Sequence, residues 1–461
     1  MQRSDSTYRI PWNRPVSLAP LAVFRFLFGA VMFLGTLRFM ARGWVTDLYV
    51  TPQYFFTYWG FEWVRPLGET GMYAVFVGMA IAFLMVALGW FYRVAIGSAF
   101  VLFTYVELID KTTYLNHYYF VSIVCLLLLL LPAHRMFSVD AWRKPALRLK
   151  EIPLWVAAVI PAQLGLVYVF AGIAKLHPDW VLNAMPLRLW LPAMGHLPVV
   201  GDLLKETWVA YAFSWFGLVY DLCIPFLLLM RKTRPFAYVA VVVFHLATWL
   251  LFPIGMFPWI MMLSTLIFFP ASFHLRIIRT MEGWLAKVVA PRPAVNAELR
   301  LAAPGLSKVL AGVFVLHFVV QVLMPCRYAL YDGDLFWTEQ GYRFSWRVML
   351  MEKAGVAFYE VTDPATGATA EVEPGDYLTD FQEKQLCTQP DMLLQFAHFL
   401  EDEFRAQGVA DPEVRVRSYV TLNGSSSRPF LDASVDLTKW EDGLAAKPWI
   451  LPIDNETLAM Q

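Results

Sequence analysis

The residues that could do chemistry are concentrated in one polar link, Asp110–Tyr119, between two long apolar runs. The link contains an aspartate, a lysine, two threonines, an asparagine and a histidine. Placing a charged lysine at the edge of an apolar pocket costs free energy, so Lys111 would be neutral in a fraction of the molecules. A neutral amine is a base. The alternative is a lysine that extends its ammonium group to the membrane surface beside interfacial tyrosines. Residue types alone leave both interpretations open.

Composition places this link in a membrane protein. The chain of 461 residues is 58% hydrophobic and 16% charged, whereas a soluble domain carries about 25% charged residues. Several apolar runs reach the roughly 20 residues that a transmembrane helix needs. A formal net charge of zero gives no indication of nucleic acid as a partner. The four cysteines form no CxxC and no zinc-like spacing, so no metal is expected.

Hydropathy predicts an all-α polytopic membrane bundle of about nine transmembrane helices over residues 1–325. The predicted spans are residues 18–40, 71–91, 94–109, 115–132, 154–174, 208–230, two within 236–270, and 309–325. Arg25 lies inside the first span and must face other helices or a wet cavity. Residues 42–70 are rich in aromatic side chains and are predicted to lie along the interface.

Basic residues predict the orientation of the bundle, because cytoplasmic loops carry an excess of Lys and Arg. The basic segments are the N-terminus, Arg93 and residues 133–152, 231–234 and 274–308. The N-terminus shows no cleaved signal peptide, so the first helix would direct its own insertion. With nine spans, the polar links 42–70, 110–114, 176–206 and 252–258 fall on the outer face together with the tail. Lys111 and Lys175 could therefore meet there.

The tail, residues 326–461, is predicted to be an outer-face α+β extramembrane domain. Strands are predicted at residues 357–361, 368–372 and 414–422, and helical apolar spacing covers residues 390–407. Cys326 and Cys387 would both lie on the oxidising side, and their spacing leaves a disulfide between them open.

Several polar residues of the helices allow either a structural or a catalytic interpretation. Asn116 and His117 could cap and pack the fourth span or take part in catalysis. His245 could form a hydrogen bond to another helix, with Asp221 as a possible partner, or could bind substrate. Lys175 and Asp179 have the spacing of an i,i+4 ion pair, which favours a structural role.

Aromatic and basic residues crowd the segment after the last span. Tyr342 and Trp346 could belong to an interfacial aromatic belt or to the wall of a cleft beneath the tail. Arg343 and Arg347 could hold an acidic peptide side chain or carbonate at the mouth of the bundle, since arginine suits carboxylates. Anchoring to lipid headgroups is the alternative for both arginines.

Four motifs in consistent order resemble the vitamin K-dependent γ-carboxylases and the wider horizontally transferred transmembrane (HTTM) domain family. The motifs are Asp110-Lys111-Thr112 with Asn116-His117 and Tyr119; YVFAGIAKLHPDW at residues 168–180; Phe244-His245 with Ile254-Gly255-Met256-Phe257; and Trp337-Thr338 with Tyr342, Phe344, Ser345 and Trp346. The resemblance runs from about residue 10 to residue 450.

The resemblance implies a membrane enzyme that converts protein glutamate to γ-carboxyglutamate, with vitamin K hydroquinone, O2 and CO2 as co-substrates. It implies that Lys111 removes the hydroquinone proton, so this amine must be neutral and Asp110 should pair elsewhere. Asn116 and His117 would assist catalysis. The expected quinone- and substrate-binding residues are His245, Ile254, Gly255, Met256, Phe257, Tyr342, Arg343 and Trp346.

The partners implied are membrane lipid, the quinol and a glutamate-containing protein or peptide. The tail is shorter than in animal members, which favours a bacterial-type protein of the inner membrane with a periplasmic active face. An ER membrane with a lumenal face is the eukaryotic equivalent. Two other functions stay open: a quinol oxidase or epoxidase that carboxylates no protein, and a non-enzymatic lipid-binding scaffold.

Overall fold

The structure, a computed structural model, describes residues 12–252, 254–285, 287 and 304–453. These residues form a bundle of helices with an α+β domain at one end. The predicted cytoplasmic placement of residues 1–11, Arg292 and Arg300 lies outside the described residues.

Helices make up the membrane part. In chain order they are α1 (Ala19–Ala41), α2 (Trp44–Tyr49), α3 (Gly68–Leu88), α4 (Tyr92–Ile109), α5 (Asn116–Leu130), α6 (Val139–Arg143), α7 (Leu154–Ala174), α8 (Pro178–Asn183), α9 (Leu187–Ala193), α10 (Gly201–Leu204), α11 (Thr207–Leu229), α12 (Arg234–Leu251), α13 (Phe257–Ser264), α14 (Ala271–Leu285) and α15 (Pro304–Cys326). Among the described residues, seven are long and apolar enough to cross a bilayer: α1, α3, α4, α7, α11, α12 and α15. The chain is therefore a multi-pass membrane protein.

The structure does not confirm nine crossings, because two predicted spans are short or broken. Helix α5 has 15 residues, about 22 Å in length, against about 30 Å of hydrocarbon. Its C-cap Leu131 is extended, because Pro132 disfavours the helical conformation of the residue before it. Helix α13 continues as the 3-10 turn Thr265–Phe268 and then bends by 114° into α14, since Pro270 interrupts the run.

Arg25 binds the carbonyl end of a neighbouring helix. It is fully buried in α1, and its guanidinium donates to the carbonyl oxygens of Val86 at 2.7 Å and Ala87 at 2.8 Å. A third bond goes to the carbonyl of Phe137. The last turn of a helix leaves carbonyls without partners, and Arg25 supplies the missing donors to α3. The expectation that Arg25 faces other helices is confirmed.

Two sets of contacts define the ends of the bundle. Strand β1 (Pro15–Ser17) pairs antiparallel with β2 (Glu151–Pro153), so α1 and α7 start at the same end. At the other end, the Lys111 backbone N–H donates to the Phe56 carbonyl at 2.8 Å, and Gln382 of the C-terminal domain donates to Asp110 at 2.8 Å. The basic segment 133–152 therefore lies at the end away from the domain, as the charge pattern predicts.

The C-terminal domain is an antiparallel four-stranded sheet packed against helix α18. Its elements are α16 (Leu335–Thr338), β3 (Lys353–Thr362), β4 (Thr369–Val372), α17 (Asp380–Leu386), α18 (Pro390–Ala406), β5 (Glu413–Leu422) and β6 (Arg428–Pro429). The strand order is β4-β3-β5-β6. Alternate residues Val414, Val416 and Val420 of β5 are buried, so the period-two pattern that predicted this strand is confirmed.

The domain rests on the bundle through a shared apolar cluster. Phe56 and Trp180 of the bundle side join Phe336, Leu386 and Phe396 of the domain side in this cluster. Of the aromatic segment 42–70, Phe56 is thus buried under the domain, while Trp59, Phe61 and Trp63 are exposed. Cys326 and Cys387 are both free thiols, so the structure contains no disulfide between them.

Side-specific labelling tests this arrangement. Single cysteines replacing Lys144 and Ala410, in a background with Cys223→Ser and Cys326→Ser, should react with an impermeant maleimide from opposite sides of the membrane. The reason is that Lys144 lies at the β1–β2 end, whereas Ala410 belongs to the domain at the other end. Labelling of both positions from one side would overturn the orientation.

Candidate active site

The Asp110–Tyr119 link is held by bonds that direct its lysine inwards. Asp110 leaves the helical conformation at the end of α4, and its carboxylate accepts from the Thr112 backbone N–H at 2.9 Å. The other Asp110 oxygen accepts from Gln382. Burial raises the pKa of Asp110, and these donors act in the opposite direction. Its carboxylate thus pairs away from Lys111, in agreement with the expectation for an aspartate beside a lysine.

Lys111 is tied to the domain by two carboxylates. Its Nζ lies 2.8 Å from Asp391 Oδ2 and 3.4 Å from Asp442 Oδ2, and its side chain is only 2% exposed. Arg343 Nη1 binds the same Asp391 oxygen at 2.6 Å. Burial alone would raise the pKa of Asp391, but Arg343 and Lys111 outweigh it and hold that pKa well below its usual range. Asp391 is therefore ionised at neutral pH.

A cavity of about 810 Å³ opens beside Lys111. Nine of the residues expected from the sequence line it: Lys111, Asn116, His117, Ile254, Gly255, Met256, Phe257, Tyr342 and Arg343. Gly255 adopts φ +62°, a backbone conformation that favours glycine and turns the 254–257 link along the wall. His117 packs against Phe257 with ring centroids 5.6 Å apart. The structure thus brings together motifs that are far apart in sequence.

A second, smaller cavity of about 120 Å³ shares a wall with the first. Its lining includes Lys175, Asp221, His245 and Trp346. Residues common to both cavities are Asn116, Ile254, Phe257, Val348 and Met349. His245 and Trp346, expected at the quinone site, therefore lie in an adjoining chamber rather than beside Lys111.

The partner assignments for Lys175 and His245 need correction. Lys175 Nζ lies 2.6 Å from Asp221 Oδ2, with both side chains buried, so the i,i+4 pair with Asp179 predicted from spacing is wrong. Asp179 accepts instead from Asn423 of the domain, because the chain breaks into α8 at Pro178 rather than continuing α7. His245 Nε2 contacts the Tyr168 hydroxyl at 3.2 Å instead of Asp221.

Four buried polar atoms around these cavities have no hydrogen-bond partner in the part of the chain that the structure describes. They are His245 Nδ1, Trp346 Nε1, Arg347 Nε and, beside Lys111, Thr112 Oγ1. Buried polar atoms are nearly always paired, so orphans beside a cavity indicate where a polar ligand atom can bind. Within the same described ranges, no group of three or more His, Cys, Asp or Glu side chains could hold a metal ion.

The segment after α15 separates the two cavities in a strained conformation. Phe344, Trp346 and Met349 all have positive φ, at +60°, +61° and +53°, which costs free energy for residues other than glycine. Two residues of the link hold it: the Tyr114 hydroxyl accepts from Phe344 N at 2.8 Å, and Asn116 Nδ2 donates to the Arg347 carbonyl at 2.6 Å. Asn116 makes no side-chain cap to α5.

Arg343 and Arg347 are less available than the sequence suggested. Arg343 is bound by Asp391 and also donates to Gln389. Arg347 lies over the Tyr328 ring, 4.7 Å from its centroid. Sequence reasoning missed Asp391, Asp442 and the cavity-lining Glu107. Only Glu107 carried a local signal, as an acidic residue within an apolar span.

Two known families match the chain in the order of its two parts. The HTTM domain matches residues 13–273, and the vitamin K-dependent gamma-carboxylase, lumenal domain, matches residues 306–456. No solved structure matches the chain. The first match covers most of the helices around both cavities, and the second covers the domain that supplies Asp391 and Asp442.

Replacement of Asp391 tests the charge network. Asp391→Asn should lower the free energy of unfolding by about 3 kcal/mol, because Lys111 and Arg343 would be left as buried cations without their shared partner. Asp402→Asn is the matched control on the same helix, since Asp402 is 79% exposed and, among the described residues, its ion pair is with Arg405. Thermal unfolding in detergent measures both, and equal losses would refute a structural role for Asp391.

Proposed function

The chain belongs to the HTTM-domain family and carries the lumenal domain of the vitamin K-dependent gamma-carboxylases, and from this we propose that it carboxylates glutamate side chains of a protein at the expense of a vitamin K-type hydroquinone. CO2 is added at the glutamate γ-carbon while O2 oxidises the hydroquinone to its epoxide. The observation that carries the proposal is the pair of adjoining cavities, each with a buried lysine, beneath the family's lumenal domain.

The cavities fit a quinol. A volume of about 810 Å³ lies within the usual range for small-molecule sites, roughly 300–1,000 Å³. The walls are mainly apolar, which suits a lipid-soluble ring and tail. In the adjoining 120 Å³ cavity, the unpaired His245 Nδ1 and Trp346 Nε1 could bind oxygens of a ring that reaches across the shared wall. When bound, the hydroquinone supplies on oxidation by O2 a base stronger than any side chain, which the weakly acidic glutamate γ-C–H requires.

Lys111 is less suited to start this reaction than its motif implied. Carboxylates close to an amine favour its charged form, and Lys111 lies within 4 Å of two of them. These contacts join the bundle to the domain. Lys111 still lines the larger cavity, where its charge could orient a bound anion.

Lys175 is the better candidate for the base. It has one carboxylate partner, Asp221, and the two side chains are 7% and 6% exposed. Lys175 Nζ and Asp221 Oδ2 are 2.6 Å apart, so the two side chains share one short hydrogen bond along which a proton can be passed. We propose that Lys175 takes a proton from the hydroquinone hydroxyl, with Asp221 as its proton partner and His245 positioned nearby to orient the ring.

The domain closes the site on its outer face. Tyr54 donates to the Gln395 carbonyl at 3.2 Å, and Gln395 donates to the Thr57 carbonyl at 2.8 Å, so helix α18 is fastened over the aromatic segment. Exclusion of water would protect a carbanion at the γ-carbon until CO2 arrives. We place this domain on the outer side of the membrane, periplasmic in a bacterium or lumenal in the ER, where the peptide substrate would enter.

One observation favours a second function, oxidation of the quinol without carboxylation. Arg343, expected to hold the substrate carboxylate, is already neutralised by Asp391. A site that holds no peptide would still oxidise the quinol.

Two variants separate the roles of the lysines. Lys175→Ala should lower epoxide formation and CO2 incorporation together by about 10²–10⁴-fold, because both follow the same proton transfer. A small exogenous amine should restore part of the activity, more strongly as pH rises and the amine becomes neutral. Lys175→Arg should stay inactive, since guanidinium keeps its proton. The matched variant Lys111→Ala should chiefly lower stability and show no amine rescue. Amine rescue of Lys111→Ala, with normal epoxidation by Lys175→Ala, would reverse the assignment.

Labelled CO2 distinguishes the two functions. With vitamin K hydroquinone, O2 and a glutamyl peptide, the carboxylase proposal expects fixed label in step with epoxide. Epoxide without fixed label in the peptide would establish the quinol oxidase, and neither product would contradict both functions.

A further inference from the structure

A further cavity lies outside the site of the proposed reaction. This cavity, of about 1740 Å³, lies at the β1–β2 end of the bundle, away from the domain, and separates helix α7 from α15. Its wall is largely aliphatic and aromatic, as shown by Trp155, Val159, Phe314 and Phe318. An apolar chamber of this size between membrane helices is open to hydrocarbon chains.

The mouth of this cavity is positively charged. Among the described residues, Arg93, Arg135 and Lys308 line it, and the one acidic residue in its lining is Glu151. None of the three cations forms an ion pair with another of the described residues, although Arg93 donates to the Leu129 carbonyl. Basic side chains beside an apolar cavity suit an anionic partner that also has an apolar part.

His134 gives a second, independent observation. It lines the same cavity, is 93% buried, and its Nδ1 has no hydrogen-bond partner among the residues described. Its ring stacks on Tyr92 with centroids 4.8 Å apart, which fixes its direction. Burial, assisted by the nearby charge of Arg93, lowers the pKa of His134 to about 4. The imidazole is thus neutral at pH 7 and can share a proton with a ligand oxygen.

Helix α15 is joined to the bundle by hydrogen bonds of two side chains, His317 and Gln321. His317 Nε2 lies 2.8 Å from Gln163 Oε1, and Gln321 donates to the Tyr119 hydroxyl at 2.7 Å. The 1740 Å³ cavity lies between α15 and α7 and runs along α15 from Ser307 to Leu323. A bound molecule there would complete the packing of the helix that leads into the domain.

We propose that this cavity binds one anionic phospholipid, with its phosphate at Arg93, Arg135 and Lys308 and its acyl chains between α7 and α15. The headgroup would then lie at the end of the bundle that basic loops mark as cytoplasmic, where anionic lipids are attracted to basic residues. A zwitterionic lipid would leave the excess positive charge uncompensated. A soluble anion would leave the apolar chamber unfilled.

Native mass spectrometry of the full chain in detergent tests the site with two probes, phosphatidylglycerol and phosphatidylcholine. One phosphatidylglycerol should bind in preference to phosphatidylcholine. Arg135→Gln with Lys308→Gln should weaken its binding about twenty-five-fold, since each basic residue at a headgroup contributes about fivefold. The control, Lys144→Gln with Lys150→Gln, removes two exposed lysines at the same end that do not line the cavity. Equal binding of the two lipids, or equal weakening by both pairs of changes, would overturn the proposal.

A third variant separates the chamber from a charged surface. Ala158→Trp fills the cavity between α7 and α15 and leaves every basic residue in place. It should also abolish retention of the single phosphatidylglycerol. Unchanged retention would mean that the lipid binds a basic surface, which would contradict a site inside the cavity.

Discussion

The carboxylate of Asp391 holds the two parts of this molecule together where the larger cavity opens. It binds Lys111 of the bundle and Arg343 of the segment that leads into the domain, at 2.8 Å and 2.6 Å. An ion pair on the surface contributes little to stability. Removal of one charge from a buried group is strongly destabilising, because the remaining charges are desolvated and unpaired. The wall of the cavity around Lys111 therefore depends on docking of the domain.

The shape of the smaller cavity also depends on contacts between the bundle and the segment after α15. Phe344, Trp346 and Met349 keep left-handed backbone conformations because Tyr114 and Asn116 bind the chain between them. Trp346 also stacks on Tyr119, with centroids 5.0 Å apart. The Asp110–Tyr119 link thus shapes the wall between the cavities, and a disturbance of the link would be felt at Lys175 without any direct contact between the two lysines.

Local patterns in the sequence predicted most of the fold. Apolar runs located the long helices, alternation located β5, and basic loops located the end away from the domain. The spans predicted in the α5 and α13 regions are not confirmed at full length, because Pro132 and Pro270 end the helices within the apolar runs. The ion-pair partners at the site were harder to predict from the sequence. Asp391 pairs with Lys111, which is far away in the chain, and Lys175 pairs with Asp221 instead of Asp179, which is nearer in sequence. Spacing within one helix has no information about such tertiary pairs.

The short α5 has a consequence for how a substrate would arrive. At about 22 Å it falls about 8 Å short of the hydrocarbon thickness. If its inner end lies at the inner surface, the turn at Lys111 lies below the level of the outer headgroups. Either the bilayer is locally thinner at this point, or the site lies within the hydrocarbon region. A hydrophobic ring dissolved in the membrane interior could then slide sideways into the cavity without passing through water, while a peptide would come down from above.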